Sequence, residues 1–138
     1  MSEFSKLSEI DPSIFTIDRN QLDIEWEKQS ANVFEIGRLA AQACLLVDDL
    51  ERQLVSAKAS ADKAVRSDPA KYDVAKITEG SVMSAVMQMP EINDLMDRIA
   101  MARCHYNTCK AAVAALENKK KGLECLTQLR AMNYYSAK

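Results

Sequence analysis

Glycine and proline are scarce in this chain: three of each in 138 residues leave few places for the backbone to turn. The longest apolar runs are far too short to span a bilayer. The start Met1, Ser2, Glu3, Phe4 lacks the basic and apolar stretches of a signal peptide, so a cytosolic location with no membrane partner is expected. Cys44, Cys104, Cys109 and Cys125 sit within helical patterns, without the spacing of a secreted disulfide framework, and are expected as reduced, small core residues.

Catalytic chemistry is equally thin. The sole histidine, His105, lies four residues before Cys109, which places both on one helix face as half of a tetrahedral metal site, but two further ligands have no recognisable spacing. Thr78, Glu79, Gly80 and Ser81 lack the length and the lysine of a phosphate-binding loop. Asp48 and Asp49 are adjacent and diverge on a helix, so they make no acid/base pair. No base, nucleophile and orienting group assemble, and neither an enzyme nor a cofactor is expected.

What is present is periodicity. Leu22, Trp26, Val33, Ile36, Ala40, Ala43, Val47, Leu50, Leu54, Ala57, Ala61 and Ala64 follow one alternating three-and-four step, with Gln29 the only polar residue on the row. Such a seam fits a helix over about 20–66, roughly 65 Å long at 1.5 Å per residue, and excludes a strand. No domain of this size encloses such a rod, so a second helix or other subunits must cover the seam. Asn20 or Asp18 is the candidate cap, and Ser67, Asp68 and Pro69 break the pattern.

A second helix is expected over about 91–133, carried by Ile92, Leu95, Ile99, Ala102, Tyr106, Cys109, Val113, Leu116 and Leu123, with Lys120 interrupting the row. Leu123, Leu126 and Leu129 widen its apolar face, which suggests contact with more than one neighbour. Between the rods, Val82, Met83, Val86 and Met87 form the stripe of a short helical connector that Pro90 ends. Residues 1–19 read as an extended or partly ordered acidic arm. The expected fold is therefore all-α: one helical domain over 1–138, two long helices in a hairpin, and assembly into a homo-oligomer. Trp26 on the heptad row and the methionines from Met83 to Met101 read as packing groups, whereas Tyr134 and Tyr135 remain open to partner binding or assembly.

Charge is unevenly spread. Residues 1–51 hold eleven acids against four bases, a net of −7; residues 52–76 carry +3 and residues 77–138 carry +2. The basic stretch makes Lys58, Lys63, Arg66 and Lys71 candidates for phosphate contact, against the alternative of a solvated helix end.

Three groups of residues carry a resemblance: Phe15, Thr16, Ile17 and Asp18 with Leu22 and Glu25; Leu54, Val55, Lys58, Ala59 and Asp62; and Ala115, Leu116, Gly122, Leu126, Leu129, Arg130 and Ala131. In this order, over nearly the whole chain, they resemble the UvsY-type recombination mediators of tailed bacteriophages. The resemblance implies a helical protein in the bacterial host cytoplasm that binds single-stranded DNA. It also implies loading of a RecA-like recombinase onto strands covered by single-strand-binding protein. The family's DNA-contacting element has an arginine two positions after its lysine; Lys58 matches the lysine, but Ser60 stands where the arginine would be, with Lys63 and Arg66 as substitutes. It further implies a ring-like homo-oligomer whose interface would fall to Leu116, Leu123, Leu126 and Leu129. The rival reading is a helical scaffold or chaperone-like interaction protein that never meets nucleic acid.

Overall fold

The computed structural model describes residues 10–134, and every regular element among them is helical. Three α-helices, α1 (Leu22–Ser67), α2 (Glu79–Met87) and α3 (Pro90–Ala131), follow one another; a 3₁₀ turn at Pro12–Phe15 precedes α1, and another at Pro69–Tyr72 lies between α1 and α2. Among the described residues no helix is long and apolar enough to cross a membrane. The chain divides into two compact units, one drawn from Met1–Ala43 and His105–Lys138 and the other from Cys44–Cys104, so both long helices contribute to both units. Helices of 46 and 42 residues bury their seams in separate clusters along their length.

The seam of α1 follows the heptad row at first. Leu22, Gln29, Ile36, Ala43 and Leu50 are all buried. Near the C-terminus it slips: Val65 is fully buried where the row placed Ala64. An α-helix with 3.6 residues per turn drifts about 20° per heptad from a strict 3.5 repeat, so five heptads displace the buried face by one residue.

In the unit containing the chain ends, Ile36, Ala112 and Leu116 form a buried cluster against which Ile14, Phe15, Val33 and Val113 pack. Residues 10–19 of the expected extended or partly ordered arm are therefore folded onto this unit; residues 1–9 lie outside the described residues. Asp11 starts the 3₁₀ turn by accepting hydrogen bonds from Ser13 N (2.9 Å) and Ser13 Oγ (2.6 Å), which hold its carboxyl below the usual range. Asp18 Oδ1 accepts from Asn20 N at 2.9 Å, so the chain bends before α1 and the helix begins at Leu22, two residues after Asn20.

Polar groups fix how the helices of this unit meet. Gln29 Nε2 donates to the Leu116 carbonyl at 2.8 Å, and Trp26 Nε1 donates to Thr127 Oγ1 at 3.1 Å. Lys119, one residue before the expected interruption at Lys120, is a core residue: its ammonium lies 2.5 Å from Glu25 Oε2 and donates to the Ile14 carbonyl at 2.8 Å. Lys120 is exposed, so it interrupts the apolar row while α3 continues through it. Gly122 lets Ile17 approach closely, since a Cβ there would stand 3.1 Å from Ile17 Cδ1.

The unit Cys44–Cys104 has its own core of Ala61, Val65, Val82, Val86, Met89 and Ile92, lined by Leu54, Ala57, Tyr72 and Val74. Thr78 caps α2: Ser81 N donates to Thr78 Oγ1 at 3.1 Å, and Thr78 N donates back to Ser81 Oγ at 2.9 Å. Asp73, in the left-handed region at φ 57°, ends the 3₁₀ turn before it. Pro90 both stops the chain after α2 and opens α3, a first-turn position that needs no N–H donor. Of the methionines expected as packing groups, Met89 is buried and Met87 half-buried, but Met83, Met96 and Met101 are exposed.

Candidate nucleic-acid interface

All four candidate phosphate-contacting residues belong to the Cys44–Cys104 unit. Lys58, Lys63 and Arg66 occupy the last turns of α1, and Lys71 lies in the 3₁₀ turn that follows. Lys58 is half-buried, while Lys63, Arg66 and Lys71 are exposed. Lys58 and Arg66 are eight residues apart, about 80° around the helix; Lys63 lies about 60° beyond Arg66 on the same broad surface. Cations at this end of α1 are also favoured by the partial negative charge of the helix C-terminus.

The acids of the unit compete for those cations. Arg66 Nε donates to Asp62 Oδ1 at 2.8 Å and Arg66 Nη2 to Glu79 Oε1 at 2.8 Å. Asp62 first and then Glu79 hold the guanidinium above its ordinary pKa. Lys71 Nζ stands 5.6 Å from the centroid of its neighbour Tyr72. Among the described residues Lys58, Lys63 and Lys71 enter no ion pair, so Arg66 is the one cation of the set held by acids. Asp62 is visible in the sequence as an i, i+4 partner; Glu79 is not, because its approach depends on where α2 starts.

The leucines expected to support assembly divide. Leu116 and Leu123 are fully buried within a single chain, Leu116 against Ile36 and Ala112. They build the unit's own core and present no surface to another subunit. Leu126 and Leu129 are half-buried, and Met132 beyond them is exposed. Tyr134 is exposed; Tyr135 lies outside the described residues.

Among the described residues no three His, Cys, Asp or Glu side chains gather as a metal site would require. His105 is half-buried and Cys109 fully buried, where desolvation pushes the thiol pKa up and makes it a poor nucleophile. Cys44 is half-buried and Cys125 exposed.

No protein-family model, curated protein or solved structure matches this chain.

Proposed function

We propose that this protein is a non-enzymatic recombination mediator of a tailed bacteriophage, acting in the bacterial host cytoplasm. It binds single-stranded DNA and helps to load a RecA-like recombinase onto strands covered by single-strand-binding protein. The observation that carries the reading is the basic end of α1, with Lys58 and Lys63 unopposed among the described residues and Lys71 in the following turn. The ordered resemblance to UvsY-type mediators supplies the kind of nucleic acid and the partners.

In this reading α1 and α3 pair as an antiparallel hairpin, and copies assemble into a ring through Leu126, Leu129 and the last turn of α3. The order of contacts supports the hairpin: Gln29 meets Leu116 while Ile36, further along α1, packs on Ala112, earlier in α3. A ring repeats a modest basic patch, and multivalent attachment lets weak contacts hold one strand. The bound strand is then displaced from single-strand-binding protein only as far as the mediator favours the recombinase-ready state. The acidic first half of the sequence is the surface offered to protein partners.

The test is binding of a fluorescent single-stranded oligonucleotide over a salt series, with mass recorded by light scattering. Salt-sensitive binding by an oligomer is expected, with a shallower salt slope when Lys58, Lys63 and Lys71 are changed together to alanine. An oligomer that binds no DNA even at low salt would replace this reading with a helical scaffold for another protein. The pairing of Arg66 with two acids favours that rival.

A further inference from the structure

Within the Cys44–Cys104 unit, α1 turns Leu50, Leu54, Ala61 and Val65 inward, yet its opposite side also carries apolar side chains. Leu45 is 59% exposed and Val55 71% exposed. Between them on the same side lie Asp48 and Arg52, which with Glu51 line a shallow, open depression beside Val55. The spacing 45, 48, 52, 55 is a second three-and-four row, about half a turn round the helix from the buried one.

This row is self-complementary. A two-fold axis crossing α1 at the level of Leu50 places Leu45 against Val55 of a second copy, and Asp48 against Arg52 of that copy. Each contact is made twice, as an isologous interface demands. A parallel pairing would instead set Asp48 beside Asp48 and Arg52 beside Arg52, so the charges select the antiparallel arrangement.

We propose that the exposed row Leu45, Asp48, Arg52 and Val55 is a homotypic docking surface on which a second copy of this chain binds antiparallel. The apolar pair supplies the attraction, and the charged pair fixes direction and register. Arg52 already pairs with Asp49 within the chain, and its five N–H donors allow it to keep that contact while meeting Asp48 of the second copy. Asp48 has no ion-pair partner among the described residues and is the group this contact would satisfy. The contact is small by the standard of permanent dimers, so the association is concentration-dependent. It stands apart from the nucleic-acid reading and uses a different surface from the C-terminal leucines.

The experiment is sedimentation equilibrium on the full chain and on three variants: Asp48→Arg, Arg52→Asp, and the two combined. The wild type should self-associate, each single variant should associate at least about tenfold more weakly, and the combined exchange should restore it. Mixing the two single variants should also restore association, because each then offers the other the opposite charge at both contacts. All four positions face solvent, and circular dichroism checks that helicity is unchanged. A wild type that stays monomeric, single variants of unchanged mass, or a mixture no heavier than its components would each overturn the proposal.

Discussion

Lys119 and Glu25 form a buried-to-surface ion pair: the lysine side chain retains 2% of its exposure and the glutamate 18%, with Nζ 2.5 Å from Oε2. The same ammonium donates to the Ile14 carbonyl, so one cation ties α1, α3 and the N-terminal 3₁₀ turn of its unit together. Removing only the carboxylate leaves the ammonium buried with a single carbonyl. Glu25→Gln should therefore destabilise the fold by about 3 kcal/mol in urea unfolding, whereas Lys119→Met, which leaves its partner close to water, should cost less. Equal costs would show that the burial of the lysine is not what matters.

The same pair predicts an acid limb. The hydrogen bond from Lys119 is the main cause that lowers the Glu25 pKa, partly offset by desolvation. A carboxyl lowered in the folded state contributes stability that is fully present above its ordinary value of 4.5 and is lost as pH falls through the lowered folded value. Thermal unfolding followed downward from pH 6 should fall more steeply for wild type than for Glu25→Gln. Parallel curves would assign the acid sensitivity to other carboxyls.

Gly37 lies inside α1 with open space where a Cβ would stand, so Gly37→Ala should stabilise by about 1 kcal/mol, a rise of about 4 °C in Tm; Gly80, in the first turn of α2 and equally open, should gain less. Gly122→Ala must displace Ile17 Cδ1 and should gain little or nothing. A rise at position 122 equal to that at position 37 would remove the packing role assigned to that glycine.

The two kinds of C-terminal leucine should respond differently. Leu123→Asp buries a charge in the core and should lose helicity and cooperative unfolding. Leu126→Asp with Leu129→Asp alters half-exposed positions and should keep the helical spectrum while lowering the mass of any C-terminal assembly. Light scattering beside circular dichroism separates the two effects; an unchanged mass would move the assembly surface away from the end of α3.

On the proposed nucleic-acid surface, Asp62 and Glu79 hold Arg66. Asp62→Asn with Glu79→Gln frees the guanidinium and removes two like charges from the phosphate's path. Binding of single-stranded oligonucleotide should tighten and its salt slope steepen by about one. Weaker binding would mean that the ion pairs shape the surface rather than compete with the ligand.

Much of the helical organisation was legible because it rests on repeated apolar spacing: Leu22, Ile36, Ala43 and Leu50 are buried on the predicted row, and Pro69 and Pro90 fall at element boundaries. Lys119 was not legible, because a lysine at a core position is recognisable only once Glu25 and Ile14, nearly a hundred residues earlier, are known to surround its ammonium. The slip from Ala64 to Val65 was hidden by adjacent apolar residues either of which suited the seam. The basic cluster was legible as charge, but its partial neutralisation was not, since Glu79 reaches Arg66 only through the turn at Pro69–Tyr72 and the start of α2.

Trp26, donating to Thr127, is the only tryptophan and belongs to the unit that holds the chain ends. Its indole is thus a reporter confined to one of the two units, while the helical circular dichroism sums over both. If the Cys44–Cys104 unit opens at a lower temperature, ellipticity will decline before indole emission changes; coincident curves would identify a single cooperative transition. One side chain therefore turns an ordinary melting experiment into a measure of whether two long continuous helices can loosen one stretch at a time.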